Sequence, residues 1–586
     1  MTQVKLDKDW KFTKNDRHNV EIKGAGFSDM ETNDKNKIAF QDKKSLLEKM
    51  SELSGMEAMN RILGVDDPSK MIRGLSRVDF FWLVKKIGAE DSHALLELAS
   101  NEQWQYLLDM EIWKRDRLDP VKIISWIERF YNADRKRLAN FFYEDEILLA
   151  HHYFYFNLYV ITRHEDDQDI PDDFITFDDL YYIRILDKEH EEIIEKTLRE
   201  LANEDYNGFQ ALLLGLAGVI PAEVEEEMYR LRGVRLAENG YLPLEEAMSV
   251  YSRIDLEKIA ADNSAYKLYV PADEETGAIV PMMPFFYARG ATLVARTTEN
   301  FSDELFLDRL RLEFGGLCNQ VMSADGTIPE NIDTLKNICR KTAGYINIGL
   351  ERLSGGDINV SRSYIENNPL ISLFRAGFTS VLELKWEFDR FLRKAWYKER
   401  GLSEGFWGEE WEGLIKGLTL NRPLLFKGGN DEHEFRDFEY LREIEECRRN
   451  FLQIYALDKH LSILYSDLPL DEDRMRDPIN TFHSMLFNYW ACIILGLEPG
   501  FFSLSLEQVK DLFRLLRAGK RHPPYGMAKY ETVFINTIVG SIDSSEDETL
   551  ILKEAISHIW RKFEAEYEFV KIADLNIRYI KYLYVK

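Results

Sequence analysis

From about residue 43 onward, apolar residues recur at spacings of three and four, which is the pattern of amphipathic helices. Four early segments show it clearly: VDFFWLVKKIG, HALLELA, NEQWQYLLDM and PVKIISWIERFY. None of these helices could bury its own apolar stripe, whereas stacking consecutive helices buries a continuous core. We therefore predict a mainly α protein, a multi-helix array with superhelical segments and a few short β-hairpins or strands. No strict period identifies a named repeat.

Residues that cap helices punctuate this pattern. Ser76, Asn101, Asp119 and Asp134 each precede an apolar-periodic segment, where a side-chain oxygen can accept the unpaired amides of the first turn. Further along the chain, the glycines of ADGTIPEN and LSGGD can adopt the left-handed conformation that ends a helix. The chain is therefore expected to form many separate helices.

Two segments favour β-structure instead. FITFDDLYYIRIL contains two short β-prone runs around Asp178 and Asp179, which predicts a small hairpin. The last residues, LNIRYIKYLYV, are rich in β-branched and aromatic types, so a terminal strand is favoured over a helix end.

Shifts in composition divide the chain into five parts. The first is polar and has no sustained period, and SAYKLYVPADEETGAIVPMMP concentrates proline and turn residues without a helical stripe. The predicted parts are a polar tail or extended arm (1–42), an N-terminal helical array with an acidic loop at 163–173 (43–263), a linker (264–284), a central helical domain (285–426) and a C-terminal helical domain with the terminal strand (427–586).

Several stretches resemble an uncharacterised bacterial family, a domain of unknown function found mostly in the delta group of proteobacteria. The stretches that carry this resemblance are LLELASNEQWQYLLDMEIWKRDRLDP, EEEMYRLRGVRLAENGYLPLEEAMSVY, VMSADGTIPEN, LERLSGGDINV and FRAGFTSVLELKWEFDRFL. Because the family has no assigned activity, the resemblance transfers no functional residues. More weakly, residues 70–165 are similar to the helical-superhelix domain of MgtE magnesium transporters, but the transport span and nucleotide-binding domains of those proteins are missing here.

Composition narrows the classes of partner. Asp and Glu number 102 against 75 Lys and Arg, a net charge of -27 that would repel a nucleic-acid backbone over most of the surface. The four cysteines lie far apart and predict reduced thiols, and the polar start lacks the apolar core of a signal peptide. We therefore expect a cytoplasmic protein that does not bind nucleic acid.

One uncharged segment raises the question of a membrane span. RDPINTFHSMLFNYWACIILGLEPG, at 476–500, carries no formal charge from Pro478 to Leu497. However, Asp477 and Pro478 form a start signal typical of a soluble helix, and several polar side chains within the segment would be costly in hydrocarbon. A buried soluble helix is therefore favoured over a span.

Polar residues line one side of this predicted helix. Asn480, Ser484 and Asn488 are spaced four apart and form a seam, with His483 beside it. In a soluble core these groups need partners, most simply on neighbouring helices. The alternative is a seam that faces a ligand.

The acidic loop is the candidate metal site. His164, Glu165, Asp166, Asp167 and Asp169 could offer oxygen and imidazole ligands to a divalent cation such as Mg²⁺ or Ca²⁺. The loop lacks the ligand spacing and mid-loop glycine of an EF-hand, and a run of carboxylates is more often a solvated surface loop.

A basic patch opposes the global charge in KDLFRLLRAGKRHPP. Arg514, Arg517, Lys520 and Arg521 gather at the end of a helix that begins with a capping box at Ser505. These cations could complement the helix dipole, or they could bind a phosphate or an acidic partner.

Three functional hypotheses stay open. The first is a cytoplasmic helical scaffold or adaptor that binds a protein partner, since phosphate loops, HExxH and GxSxG signatures are missing from the sequence. The second is a metal-dependent enzyme or a regulator that responds to divalent cations through the acidic loop. The third is an enzyme with a site in the C-terminal helical block. The sequence itself requires no cofactor, names no catalytic residue and leaves the oligomeric state open.

Overall fold

The computed structural model describes Glu48 and the ranges 52–162, 173–260, 280–288, 292–428, 434–466, 480–517, 522–540 and 545–586. Helical residues make up 69% of this described chain, and its few strands are short and antiparallel, which confirms the predicted mainly α class. The buried apolar side chains of all helical blocks belong to one contiguous core.

The N-terminal half is a series of short and medium helices that pack on their near neighbours in sequence. Its helices are α1 (Gly55–Leu63), α2 (Pro68–Arg73), α3 (Arg77–Ile87), α4 (His93–Leu98), α5 (Asn101–Glu111), α6 (Pro120–Glu144), α7 (Ile147–Asn157), α8 (Glu191–Glu204), α9 (Tyr206–Leu216), α10 (Pro221–Ala237) and α11 (Leu244–Ala247). In the pairs α3–α5, α4–α6 and α6–α8 a helix packs on the next but one, whereas α6–α7 and α8–α9 are pairs of immediate neighbours.

The central block contains the longest helices. These are α12 (Met283–Tyr287), α13 (Leu293–Thr298), α14 (Glu304–Asp325), α15 (Ile332–Ser354), α16 (Ile358–Asn367), α17 (Leu370–Leu392) and α18 (Trp396–Glu399). The most extensive helix pair in the described chain is α15 with α17. Gly326 and Gly355 end α14 and α15 in the left-handed conformation that the glycine positions predict.

The C-terminal block packs on the central block through its first two helices. Its helices are α19 (Gly408–Thr419), α20 (Leu441–Leu464), α21 (Phe482–Ile494), α22 (Leu506–Leu516), α23 (Glu531–Val539) and α24 (Glu546–Tyr567). Helix α17 contacts both α19 and α20, and α20 in turn packs on α24.

Seven short strands form three small antiparallel sheets in the described chain. The strands are β1 (Trp113–Lys114), β2 (Arg117–Leu118), β3 (Leu158–Thr162), β4 (Ile175–Thr176), β5 (Tyr181–Ile185), β6 (Leu425–Phe426) and β7 (Phe435–Arg436). The predicted hairpin is present as β4–β5, with Ile175 opposite Ile183, and β3 adds a third strand on the other side of β5.

The predicted terminal strand is wrong. The segment after α24 forms two 3₁₀ turns and one isolated parallel bridge, between Leu504 and Val585. β-branched and aromatic residues favoured a strand, but only a single bridge is formed with the loop before α22, so no ladder develops.

In the described chain, no single helix has the length and apolar composition needed to cross a bilayer. Helices α9 and α10, bent by 118° at their break, pass that test as a pair. All four cysteines are free and buried.

Candidate functional site

A pocket opens between α19, α21, α24 and the last residues of the chain. It encloses about 590 Å³, within the range of small-molecule sites. Segments far apart in sequence supply its described lining residues, which are Gly408, Trp411, Phe426, Gly428, Thr481, Phe482, His483, His558, Ile559, Lys562, Lys581 and Tyr582. We refer to this set as the C-terminal pocket.

One side of the C-terminal pocket is basic. His558 and Lys562 are four residues apart on α24, so they lie on one face of that helix. Lys581 lies at the rim, where its Nζ is 3.5 Å from a carboxylate oxygen of Glu566. None of the described lining residues is acidic, in a chain whose net charge is -27. The pocket is therefore a local exception to the acidic surface.

The other side of the pocket is aromatic. The rings of Trp411 and Phe482 stack with centroids 5.1 Å apart. His483 packs edge-on against Tyr582 at 5.1 Å. Gly408 has a positive φ of 78°, and a Cβ there would lie 3.3 Å from the imidazole Cε1 of His483. Glycine at this position therefore lets the start of α19 approach the histidine closely.

The structure separates the members of the predicted polar seam. Ser484 is buried and donates to the carbonyl of Thr481 at 2.7 Å. Asn480 is also buried and does not line the pocket. Of the four residues, only His483 lines the C-terminal pocket, with its Nδ1 3.3 Å from the hydroxyl of Thr481.

Asn488 is fully buried, and each described hydrogen bond of its side chain is made with a backbone group. Its amide donates to the carbonyls of Phe502 at 2.6 Å and Tyr584 at 3.1 Å, and its carbonyl accepts the Tyr584 amide at 2.8 Å. Asn488 therefore holds the C-terminal segment beside α21, two residues from the pocket residue Tyr582. Protein groups satisfy this part of the seam.

The two described arginines of the predicted basic patch do not form one surface. Arg514 is exposed and pairs with Asp511, whereas Arg517 is 5% exposed and donates to the carbonyls of Val570 and Tyr567. Burial lowers the pKa of Arg517. Arg517 therefore caps the end of α24 rather than meeting a phosphate or an acidic partner. Lys520 and Arg521 lie outside the described residues.

The candidate metal residues His164, Glu165, Asp166, Asp167 and Asp169 also lie outside the described ranges. Within those ranges, no group of three or more His, Cys, Asp or Glu side chains is placed to hold a metal ion. Near the loop, His152 is buried in α7, and that burial lowers its pKa.

Sequence reasoning missed most of the C-terminal pocket. The spacing of His558 and Lys562 was visible in the sequence, but a histidine and a lysine four apart are common on exposed helix faces. The contributions of Trp411 and Tyr582 depend on the tertiary approach of α19 and the C-terminal segment. Among the described lining residues, only His483 belongs to the candidate residues predicted from the sequence.

Comparisons with known proteins identify the family but no activity. The model of a family of unknown function, DUF6178, matches residues 35–586. No curated protein and no solved structure matches the chain, and the expected similarity of residues 70–165 to MgtE is not supported. Because the family match covers nearly the whole chain, this protein belongs to the DUF6178 family of unknown function.

Proposed function

We propose that this protein binds a small anionic molecule that carries a planar ring, and that the C-terminal pocket is the binding site. The observation that supports the proposal is the convergence of two lysines and two histidines with stacked aromatic rings in one cavity of about 590 Å³.

Charge is the first reason for an anionic ligand. A partly enclosed cavity concentrates the field of its lining charges. Lys562 and Lys581 both line this cavity, and Lys581 also pairs with Glu566 at 3.5 Å. Lysine binds phosphate and carboxylate as a mobile point charge with three donors.

The aromatic side is the reason for a ring. Phe482 and Trp411 line the pocket and are each 5% exposed or less, so they form a rigid hydrophobic part of its wall. Aromatic groups favour offset-stacked or edge-to-face contact with another ring. A ligand that combines both features would use the whole cavity.

The test separates the two features of the ligand. Isothermal titration calorimetry on the full chain would compare adenosine 5′-monophosphate, adenosine, ribose 5-phosphate and a panel of aromatic carboxylates. We expect measurable binding from at least one anionic ring compound, and weaker binding of compounds that lack the ring or the charge. If no member of the panel binds, the proposal is wrong.

Matched lysine variants test the site. Lys562→Gln removes a pocket cation, and we expect it to weaken binding by about tenfold or more. Lys553→Gln removes an exposed cation from the same helix, outside the pocket, and should leave affinity unchanged. Equal affinity in both variants would place the ligand elsewhere.

A second candidate is the scaffold function predicted from the sequence. It is favoured by large apolar side chains exposed on the neighbouring elements α7, β3 and α9, where Phe156, Tyr159 and Leu214 are 55%, 48% and 59% exposed. Exposed apolar surface of this kind often marks a protein interface. We expect a Phe156→Ser, Leu214→Ser double variant to lose a specific partner that co-purifies with the unaltered chain from native cells. An unchanged set of co-purifying proteins would remove this candidate.

A further inference from the structure

A second cavity lies in the central block, away from the C-terminal pocket. It encloses about 390 Å³ between α12, α13 and α14, with contributions from α15, α16 and the start of α17. Most of its wall is apolar, formed by residues such as Phe285, Phe301, Leu310, Phe314, Ile346 and Leu370. It shares no lining residue with the C-terminal pocket.

Two polar groups of this cavity, on Arg311 and Thr298, already have protein partners. Arg311 is 3% exposed and pairs with Glu304 at 2.9 Å and with Asp308. The hydroxyl of Thr298 donates to the carbonyl of Ala295 at 2.9 Å. An occupant therefore gains little from a strong hydrogen-bonding group at these positions.

The charges around Arg311 disfavour an anion. Its single positive charge is paired with the two carboxylates of Glu304 and Asp308, which lie next to the cavity, and Glu299 is the acidic residue of the described lining. An anionic ligand head group would thus meet a net negative charge from these groups, which repels it.

We propose that this central cavity binds the hydrocarbon chain of a neutral, lipid-like molecule. Apolar cavities in proteins accept apolar molecules, and each methylene that leaves water for such a wall adds favourable free energy. Four phenylalanines supply contact area around the chain. This site and its ligand class are distinct from those of the C-terminal pocket.

The experiment compares probes of one chain length. Calorimetry on the full chain would measure decan-1-ol and decanoate, which differ mainly in the charge of the head group. We expect decan-1-ol to bind and decanoate to bind at least about tenfold more weakly, because of the acidic groups around Arg311. Absence of decan-1-ol binding, or equal binding of both probes, would overturn the proposal.

Cavity-filling variants locate the binding. Ala295 lines the cavity, so Ala295→Phe is expected to reduce decan-1-ol affinity by about tenfold or more, with Ala295→Leu as a smaller filling if the first does not fold. Ala94→Phe enlarges a half-buried helical alanine outside the cavity and should leave binding unchanged. Retained affinity in a folded Ala295 variant would overturn the assignment. Loss of adenosine 5′-monophosphate binding in Lys562→Gln would leave decan-1-ol binding in the central cavity unchanged.

Discussion

Burial sets the protonation of Glu146, which lies where α5, α7 and α10 meet. The amide of Gln105 donates to its carboxyl oxygen at 2.9 Å, and Arg235 approaches to 4.0 Å. Burial nevertheless dominates and raises the pKa of Glu146 to about 7. Its neighbour Asp109 forms a bidentate ion pair with Arg235, with donor–acceptor distances of 2.7 and 2.6 Å. The charge of Arg235 therefore stabilises mainly the carboxylate of Asp109 and not that of Glu146.

The raised pKa of Glu146 gives a pH dependence with a defined sign. In the unfolded chain this carboxyl ionises near its ordinary value of 4.5, whereas the folded chain retains the proton up to about pH 7. Its contribution to stability is therefore present at low pH and lost as the pH rises from 4.5 to about 7. Compared with Glu146→Gln, the unaltered chain should lose about 2 kcal/mol of unfolding free energy between about pH 5 and pH 8.

Urea unfolding at several pH values would measure this difference. Glu144→Gln serves as the control, because Glu144 is exposed in the same stretch of chain. Parallel pH profiles for the unaltered chain and Glu146→Gln would show that the folded protein does not hold the proton.

Asn488 is the residue where a small change should have a large effect on the C-terminal segment. Asn488→Ala would leave three backbone groups of Phe502 and Tyr584 without their present partner. Since a buried unsatisfied group costs about 1–3 kcal/mol, and the groups can partly relax, we expect a loss of about 2–4 kcal/mol of stability. Hydrogen exchange should also accelerate at the Tyr584 amide.

Asn359→Ala, at an exposed helical position, is the control for Asn488 and should leave this exchange unchanged. If the Tyr584 amide of Asn488→Ala stays protected from hydrogen exchange, Asn488 does not hold the C-terminal segment beside α21.

Local rules predicted the capping residues well, because a cap depends on neighbours in sequence. The side chains of Ser76 and Asp119 accept first-turn amides as expected. Asp134 lies at a kink inside α6 and accepts the Arg137 amide, so it caps the second half of that helix. The expected cap at Asn101 is wrong by one residue, since Ser100 takes that role.

At the scale of elements, the crossing of α15 and α17 depends on two glycines. A Cβ at Gly377 would lie 1.9 Å from the carbonyl oxygen of Tyr345, and one at Gly349 would lie 2.1 Å from that of Leu373. Each helix therefore contacts the backbone of the other, with no room for a side chain at the crossing. This close approach explains why the two helices form the most extensive pair.

Gly377→Ala is expected to destabilise the protein by about 3 kcal/mol or more, because two long helices must separate to admit the methyl group. The matched control is Gly233→Ala in α10, where an added Cβ meets no atom within 4 Å. That variant should stabilise the protein by about 0.5–1 kcal/mol, since alanine loses less backbone freedom than glycine in a helix. Thermal and urea unfolding would measure both, and equal effects would rule out the close crossing.

The element types were largely predictable, whereas their partners were not. The 3.6-residue period marks a helix regardless of what covers it, so the helical class followed from the apolar spacing. The sequences of α15 and α17 give no sign that Gly349 and Gly377 meet, because this contact joins two segments that are adjacent only in space. The prediction of a terminal strand was wrong for a related reason. A strand needs a ladder of hydrogen bonds with a partner strand, whereas Val585 forms only an isolated bridge with Leu504.

At the scale of the whole molecule, one buried carboxylate joins the N-terminal array to the central block. Asp79 in α3 is fully buried and accepts the backbone amides of Met282 at 2.9 and 3.0 Å and of Met283 at 2.8 Å. These amides lie at the start of α12, 203 and 204 positions further along the chain than Asp79. The end of the predicted linker at 264–284 thus packs against the array, while its residues 264–279 lie outside the described ranges.

The candidate site illustrates the limit of sequence reasoning at this scale. His483 stood out because it lies on an uncharged helix, but Lys562 and Tyr582 look like ordinary surface residues until α24 and the C-terminal segment fold against α21. Asp79 likewise reads as an ordinary first-turn acid after the cap Ser76. Long-range partners of this kind are fixed by packing and leave no periodic signal.

Asp79→Asn tests whether this contact couples the two blocks. The variant keeps the shape of the side chain but turns one acceptor oxygen into a donor, which then faces backbone amides that also donate. We expect a loss of about 1–3 kcal/mol of stability and faster hydrogen exchange at the amides of Met282 and Met283. Asp91→Asn, at an exposed position just after α3, should change neither. If exchange at the two methionine amides stays slow in Asp79→Asn while α3 remains folded, contacts other than Asp79 hold α12 on the array.

If instead exchange accelerates only at these two amides, the start of α12 opens locally while the array and the central block stay folded. Asp79 then acts as a local contact that holds α12 on the array.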